Sequence, residues 1–555
     1  MDAVKKRQYR WLIALLVFGA VFLFLGLGDA RLIDWDENIY AEASRQMIER
    51  GDYLNVVIND HPFAEKPPLF FWEQVVSYRL FGINEFAARF PSALAGLAMI
   101  LLCFYIGQRI GSVETGLLWG LIYLTALMPS SLARASVIDH TFNFFITCST
   151  FFLYFFDVEY RAFRDKTGNK TIRSLIPKHL LFLSAASICM GLSVITKGPL
   201  GGVIPLVGFG IYKIVYRRPG IHPGHFIYCA VLSLAIGFSW YFLNALAHGE
   251  EFIRGFWDFQ MALFTKTLEG HSGPFFYHFV IVLLGLLPWT AFLFLYRPKA
   301  VQAQNPHYRP LIILGLGWTV FVLVLMSFVS TKLPHYSASV YIPLTFIIAI
   351  SIQKYFDDSR RLPVWVTVIF TLTAAGIGIL VIKIPGLASQ FLQDQGVSLV
   401  LGWSPLIAYA GATLICLGII GGILLNLRKM KVAMVTIALF MLIFTQSLWR
   451  LLMPPFLDYM QQPLIEMVVE AHQKGGKIVF YRLVSFAALF YGQQPIEMLH
   501  TYKFPGNPDI LNRPHKQDIF VMADKSNKDR LLQEHPLVKH LEDRGTFSLF
   551  ILEKK

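Results

Sequence analysis

The chain has 555 residues, of which 55% are hydrophobic, 15% are aromatic and only 15% are charged. Soluble globular proteins carry about 25% charged residues, so this composition excludes an ordinary soluble fold, intrinsic disorder, collagen and coiled coil. A membrane protein with many spans is the class that remains. On such a protein, the net charge of +13 indicates basic cytoplasmic loops rather than nucleic-acid binding.

The amino-terminal segment predicts a signal anchor. A basic tail, MDAVKKRQYR, precedes an apolar run from Trp11 to Gly28 that lacks a clear small-residue cleavage site. We therefore expect this run to remain in the protein as the first span. All five cysteines lie within apolar runs, so neither a disulfide framework nor a zinc motif is predicted.

Apolar runs long enough to cross about 30 Å of hydrocarbon recur along the chain and predict about thirteen transmembrane helices. These runs cover 11–28, 90–107, 115–132, 140–156, 179–196, 198–216, 226–246, 278–296, 310–329, 337–353, 363–383, 404–426 and 432–452.

Loop charge predicts the orientation of the spans. If the basic amino-terminal tail is cytoplasmic, every even-numbered connection is also cytoplasmic, and each of them contains Lys or Arg. The opposite loop at 384–403 has neither residue, although Lys383 stands at its edge. An odd number of spans places the carboxyl-terminal segment outside, which in a bacterium is the periplasm.

The last segment, 453–555, predicts a small α/β domain that follows a transmembrane domain at 1–452. Its strand-like runs are KIVFYR, PIEMLH, DIFVMA and FSLFILEK, and its helix-like runs are SFAALFYG and NKDRLLQEH. Because it contains no glycine-rich nucleotide loop, a lid or packing role without its own chemistry is favoured.

The first outer loop, 29–89, is long for a connection between spans, and loops of such length usually carry function. Its segment WDENIYAEASRQMIERGDY has helical apolar spacing, which predicts an amphipathic helix lying on the membrane surface. Asp36 and Glu37 stand at the start of this helix. For Glu37, helix capping and a functional role are both open, whereas the position of Asp36 beside Trp35 favours function.

Further ionisable residues are predicted at helix ends on the same outer face, namely Lys66, Asp139, Lys197, His271, Lys332 and Tyr336. A lysine at a helix end can simply extend to the interface. However, lysine is least expected on the outer side, so three of them indicate a bound anion, for which a lipid phosphate is the simplest choice. The acids Asp36 and Asp139 suit a general base, orientation of the lysines or a metal. Together these residues fit group transfer from a lipid-phosphate donor.

The chain resembles the ArnT-type bacterial glycosyltransferases, which are aminoarabinose transferases, and more widely the GT-C class that includes the protein O-mannosyltransferases. The matching motifs occur in the family's order: D-E-x-x-Y-A-E from Asp36, E-R-G-D from Glu49, E-K-P-P-L from Glu65, R-F-P-S from Arg89, the Asp139 turn, T-K-G-P from Thr196, H-x-G-P-F-x-Y from His271, L-P-W from Leu287 and K-L-P-x-Y from Lys332.

This resemblance implies a GT-C fold with about thirteen spans and a periplasmic α/β tail. It implies inverting transfer of a sugar, aminoarabinose or another pentose or hexose, from undecaprenyl phosphate. The acceptor would be lipid A-like or another envelope lipid or glycoconjugate, at the periplasmic face of the bacterial inner membrane.

The resemblance also implies residue roles. The acids Asp36, Asp139 and Glu37 would be catalytic, and Lys66, Lys197 and Lys332 would hold phosphate. Tyr336, Tyr40 and His271 would contact substrate. Glu65 and His271 are candidates for a divalent cation, which some members bind, although no cofactor is required.

Two stretches depart from the family pattern. Family members usually carry an arginine shortly after D-E, where this chain has Asn38 and Ile39. They also tend to carry a His and an Arg ahead of the H-x-x-P-F segment, where this chain reads FWDFQMALF. Both changes remove positive charge, which leaves the sugar and the acceptor open.

Two alternative functions are kept. A protein O-mannosyltransferase would share the acidic loop but should lack E-K-P-P-L. A transporter or lipid flippase without chemistry would show internal repeats and charges near the bilayer midplane. The sequence has no evident repeat, and its charges cluster on one face, so an enzyme is favoured.

Overall fold

The computed structural model describes residues 3–166, 177–217, 222–267, 270–299, 301, 305–358, 360–394, 402–501, 506–513 and 515–554. The middle of two predicted cytoplasmic loops, 167–176 and 218–221, lies outside the described residues. The same is true of 395–401 in the predicted outer loop at 384–403.

Helices make up nearly all of the membrane part. In chain order they are α1 (Ala3–Phe24), α2 (Asp36–Arg50), α3 (Leu69–Phe81), α4 (Glu85–Ile110), α5 (Val113–Leu124), α6 (Leu127–Ala133), α7 (Asp139–Lys166), α8 (Lys178–Lys197), α9 (Leu200–Val215), α10 (Pro223–His248), α11 (Glu251–Thr265), α12 (Tyr277–Gly285), α13 (Thr290–Leu293), α14 (Tyr308–Phe328), α15 (Tyr341–Asp357), α16 (Val364–Asp394), α17 (Leu406–Asn426) and α18 (Met430–Ser447). A short hairpin of β1 (Val57–Ile58) and β2 (His61–Pro62) lies in the first loop.

The polytopic helical fold predicted from hydropathy is confirmed. Within the described residues, nine helical segments are long and apolar enough to cross a membrane, and the pair α5–α6, bent by 71°, makes a tenth. The apolar part of α1 and helix α9 are shorter. The predicted run at 278–296 is interrupted between α12 and α13. Each predicted run therefore falls on a helix or a broken helix, while the total of thirteen spans stays a prediction.

The carboxyl-terminal segment contains the predicted strands β3 (Lys477–Tyr481), β4 (Glu497–Leu499), β5 (Ile519–Asp524) and β7 (Phe547–Leu552), together with the unpredicted β6 (Lys539–Arg544). They form one mixed sheet of order β4-β3-β5-β7-β6, in which β3 runs parallel to β4 and β5 while β7 is antiparallel to β5 and β6. The helices of this segment are α19 (Met453–Gln473), α20 (Phe486–Gly492) and α21 (Lys528–Glu534). A helical run from Met430 to Gln473 passes through the proposed boundary at 452, so that boundary stays a prediction.

Helix α2 exists where the sequence predicts it, and it is buried within the protein. All of its residues from Glu37 to Met47 are buried. It packs against α3 on one side and against α20 of the carboxyl-terminal segment on another. Protein therefore covers this helix on every side, partly through a segment more than 400 residues later in the chain, while its position at the membrane surface stays a prediction.

Two buried arginines fasten the end of α1 to the start of α2. Arg89 donates to both carboxylate oxygens of Glu37, each at 2.8 Å, and to the carbonyls of Leu27, Ala30 and Arg31. Arg134 donates to the carbonyls of Phe22 and Leu23 in the last turn of α1 and to those of Leu25 and Gly26 just after it. Backbone groups that a helix end leaves without partners are thus satisfied by side chains.

The carboxyl-terminal segment is docked onto the first loop by Asp34. This carboxylate accepts hydrogen bonds from the Ser485 hydroxyl and from the backbone N–H groups of Phe486 and Ala487 at the start of α20. Burial raises the pKa of Asp34, and these donors oppose that shift because they favour the charged form. In the hairpin, the side chain of Asn59 exchanges two hydrogen bonds with the backbone of Ile496.

We expect Arg89→Ala to lower the free energy of unfolding by about 3–5 kcal/mol, because it leaves the Glu37 carboxylate buried without its cation. Thermal unfolding of the purified protein in detergent measures this loss. Arg109, whose side chain is 41% exposed, is the matched control, and Arg109→Ala should cost less than about 1 kcal/mol. Equal losses in the two variants would contradict a central role of the buried pair.

Candidate active site

A cavity of about 70 Å³ lies where the ends of several helices meet. Its apolar wall comes from residues of α7, α9, α11 and α14. Its polar lining consists of Lys66, Asp139, Asn143, Lys197, Gln260, His335, Tyr336 and Ser339. Three of the sequence-predicted charged residues, Lys66, Asp139 and Lys197, therefore converge on one chamber.

Asp139 and Lys197 face each other because each occupies a favourable helix end. Asp139 is the first residue of α7 and Lys197 is the last residue of α8, so each charge complements the dipole of its own helix. The Lys197 ammonium donates to Asp139 at 2.5 Å and lies 5.5 Å from the centre of the Tyr336 ring. This lysine is thus fixed in place before any ligand binds.

The T-K-G-P motif has a local physical cause. Gly198 ends α8 with a φ of +105°, a conformation that favours glycine. Its backbone N–H donates a hydrogen bond to the carbonyl of Val194. A Cβ at this position would meet the Phe256 ring at 3.0 Å. Pro199 then precedes the first turn of α9. The motif therefore stops one helix and starts the next, which leaves Lys197 at the cavity.

Lys66 is a desolvated cation without an anionic partner. Its ammonium lies 4.9 Å from the centre of the Phe259 ring, and within the described parts of the chain it has neither an ion pair nor a hydrogen bond. Burial lowers the pKa of Lys66, whereas the negative charges on Glu65, Asp36 and Asp139 act to raise it. A half-buried ammonium of this kind is stabilised by an anion that enters the cavity.

Asp36 is the matching carboxylate. It is the first residue of α2, and no hydrogen bond or ion pair joins it to the other residues that the structure describes. Its charge acts on Lys66, Tyr40 and Tyr336, so it belongs to the same electrostatic cluster. The preceding Trp35 has a φ of 87°, which is strained for a bulky side chain, and such strain is typical of functional sites.

Two residues of the predicted site have structural partners instead. The Glu37 carboxylate accepts hydrogen bonds from the Arg89 guanidinium and from the backbone N–H groups of Ile33 and Ser136. Lys332 is buried and donates to the carbonyls of Met326 and Ser327, which close the carboxyl end of α14. Neither residue lines the cavity, so the structure does not join Lys332 to Lys66 and Lys197.

The remaining predicted residues are placed as follows. Tyr40 is buried against the rings of Phe70 and Phe71, and the charge of Glu65 acts on it. His271 is exposed in the loop before α12, and its carbonyl accepts the backbone N–H of Lys332. Glu65 and His271 do not belong to a described group of three or more potential metal ligands, so their role in binding a cation stays a prediction.

Sequence reasoning missed His335, Asn143 and Gln260, which also line the cavity. In this segment, ionisable side chains at a helix end and the K-L-P-x-Y motif point to Lys332 and Tyr336, and neither signal marks His335. The chain enters a 3₁₀ turn at Pro334–Val340, where His335 and Tyr336 both line the cavity and Lys332 does not.

Known proteins share this architecture. The family model of dolichyl-phosphate-mannose-protein mannosyltransferases matches residues 11–253. The undecaprenyl phosphate-alpha-4-amino-4-deoxy-L-arabinose arabinosyl transferase of Aeromonas salmonicida is 27% identical over 391 residues, or 69% of this chain and 68% of that protein. An uncharacterized protein of Aquifex aeolicus is 30% identical over 353 residues, or 62% of this chain and 73% of that protein.

The fold matches over nearly its whole length. The crystal structure of ArnT from Cupriavidus metallidurans bound to undecaprenyl phosphate aligns with a TM-score of 0.76 at 21% identity, covering 98% of both chains. The chain therefore has the ArnT fold, as the sequence motifs predict. Together with its similarity to the arabinosyl transferases, this match indicates a multi-pass membrane glycosyltransferase that resembles the ArnT type.

The partners of Lys66 and Lys332 predict opposite effects on stability. Lys332→Met should lower the free energy of unfolding by about 1–3 kcal/mol, because it leaves buried carbonyls without a donor. Lys66→Met should leave stability unchanged or increase it, since it removes a desolvated charge that no described residue pairs. Thermal unfolding in detergent, without added lipid, compares the two. A larger loss in Lys66→Met than in Lys332→Met would refute these assignments.

Proposed function

We propose that this enzyme transfers a sugar from undecaprenyl phosphate to a lipid A-like or other envelope acceptor. The observation that carries the proposal is the ammonium of Lys66, which no described residue pairs and which lines the same cavity as the Asp139–Lys197 pair. A carrier phosphate supplies the anion that this arrangement lacks. The choice of carrier is supported by the relatives named for undecaprenyl phosphate and by the ArnT crystal structure with that lipid.

We place the reaction at the periplasmic face of the bacterial inner membrane. Support comes from the basic residues in every even-numbered connection, which the positive-inside rule assigns to the cytoplasm. The first loop and the helix ends that carry Asp139 and Lys197 then belong to the opposite side. The acceptor would meet the donor at the lipid boundary, so neither substrate has to leave the membrane.

In the proposed mechanism, an acceptor oxygen attacks the anomeric carbon from the side opposite the phosphate. A bond forms between that oxygen and the carbon, while the bond between the carbon and the phosphate oxygen breaks. The electron pair of the broken bond leaves with undecaprenyl phosphate, and the anomeric centre is inverted. Lys66 and Lys197 stabilise the departing phosphate, and the Tyr336 hydroxyl donates to it.

Asp36 and Asp139 have different roles in this scheme. Among the described residues the Asp36 carboxylate has no partner, so it is available to orient the acceptor and to take the proton of an acceptor hydroxyl. If the acceptor oxygen belongs to a phosphate, no proton is removed and Asp36 only orients the group. Asp139 is already paired with Lys197, and its role is to hold that lysine toward the phosphate.

Asp36→Asn should lower the rate of sugar transfer by at least about 10²-fold, because the amide cannot accept the acceptor proton. Purified protein is supplied with a panel of undecaprenyl-phosphate sugars and lipid A, and mass spectrometry identifies the donor that is consumed and the acceptor that gains mass. Glu49→Gln changes an exposed acid on the same helix and should retain activity. Near-normal transfer by Asp36→Asn would remove Asp36 from the mechanism.

Lys66→Met should weaken the binding of undecaprenyl phosphate by about tenfold or more, since a hydrogen bond to a charged group contributes about 1.5–3 kcal/mol. Native mass spectrometry of the protein with the lipid measures the affinity. Lys66→Arg retains the charge and should bind within a few-fold of wild type, and Lys354→Met at the far end of α15 is a second control. Equal affinity of Lys66→Met and wild type would contradict phosphate binding by Lys66.

A protein acceptor is the second candidate, because the family model of protein mannosyltransferases matches residues 11–253. The same transfer assay with a Ser/Thr-rich peptide in place of lipid A separates the two. A mass gain on the peptide alone would assign a protein acceptor, whereas a gain on the lipid alone would assign an envelope lipid.

A further inference from the structure

A second cluster of chemically active side chains lies outside the cavity, in the carboxyl-terminal segment. His500, Glu534 and His535 each offer one ligand atom, and these atoms all lie within 4.8 Å of one another. His500 follows β4, Glu534 is the last residue of α21, and His535 comes next in the chain. The mechanism proposed above uses none of the three.

His535 is held in the form that a metal ion needs. It is only 6% exposed, and its Nδ1 lies 2.9 Å from the amide oxygen of Asn512. Because that oxygen can only accept a hydrogen bond, the ring proton belongs on Nδ1, which leaves a lone pair on Nε2. Nε2 is buried and has no hydrogen-bond partner among the residues described. A ring nitrogen fixed by a second partner is typical of histidine ligands.

Glu534 is oriented in a comparable way. Its two carboxylate oxygens accept hydrogen bonds from the Tyr481 hydroxyl at 2.5 Å and from Nε of Arg530 at 2.7 Å. The Tyr481 ring packs edge-on against both imidazoles, with ring centres 5.5 Å from His500 and 5.9 Å from His535. Tyr481 therefore contacts all three residues and holds them around one point.

We propose that His500, Glu534 and His535 bind a divalent transition metal, with Zn²⁺ as the preferred ion. Two imidazoles and one carboxylate are a common zinc ligand set, and a water molecule would complete a tetrahedron. With zinc–nitrogen bonds of about 2.0–2.1 Å, the ligand atoms must approach to about 3.3 Å from one another. His500 is exposed and can turn toward the ion, whereas Glu534 has to give up its bond to Arg530 to approach it. The ion would tie the end of β4 to α21.

This site is distinct from the cation site that the family resemblance implies at Glu65 and His271, because those two residues lie in other loops. It also has a built-in competitor, because Arg530 pairs with the same carboxylate that would bind the ion. Removal of the Arg530 guanidinium should therefore strengthen metal binding. A nonspecific surface histidine would not respond to Arg530 in this way.

The test uses the full chain in detergent, without a polyhistidine tag and stripped of metal by a chelator. Zn²⁺ is titrated against a chromophoric chelator, and Co²⁺ binding is followed by its visible absorption bands. We expect His500→Ala to lose one equivalent of metal or bind it at least about tenfold more weakly, and Asn512→Ala to bind about 10–100-fold more weakly. Arg530→Ala should bind more tightly than wild type.

The matched control is His472→Ala, which changes an exposed histidine at the end of α19 outside the cluster. His472→Ala should bind metal as wild type does. His271→Ala should also retain the one metal ion proposed at His500, Glu534 and His535. His500 is exposed, so His500→Ala should unfold at the same temperature as wild type when both are metal-free. Failure of wild type to bind either ion, or identical binding by His500→Ala and His472→Ala, would overturn the proposal.

Discussion

The arrangement of the active site depends on the buried ion pair of Glu37 and Arg89. Neither charge can remain alone in the protein interior, so the two side chains must meet wherever the chain folds. Arg89 also binds the carbonyls that follow α1, and Glu37 also accepts the backbone N–H of Ser136, three residues before Asp139. One pair therefore sets the starts of both α2 and α7, which carry the two acids of the site.

This constraint divides the charged residues into two classes. Glu37 and Arg89 form an ion pair, and Arg134 and Lys332 donate to backbone carbonyls, so these side chains maintain the backbone. Asp36 and Lys66 have no such partners among the described residues, although each lies in the same electrostatic cluster. Of these residues, Lys66 lines the cavity, and in the proposed mechanism the carrier phosphate supplies the anion that Lys66 lacks among the described residues.

Hydropathy and motifs predict much of this molecule because the bilayer imposes its own rules on length and charge. The spans, the strands β3, β4, β5 and β7, and the convergence of Lys66, Asp139 and Lys197 follow from them. Strand β6 is not predicted from the sequence, because its residues are polar and mostly exposed and show no apolar alternation. The burial of α2 is not predicted either, because it depends on contacts distant in sequence. The position of His335 is not predicted because it depends on the register of a 3₁₀ turn.

The docking of α20 by Asp34 has a consequence for the biosynthesis of the enzyme. Asp34 and Trp35 precede Asp36 directly, and their partners Ser485 and Phe486 lie about 450 residues later in the chain. While the ribosome is still translating the spans, these hydrogen bonds and this ring contact cannot form. The segment before Asp36 therefore reaches its final geometry only after residues 485–487 have been synthesised and have docked.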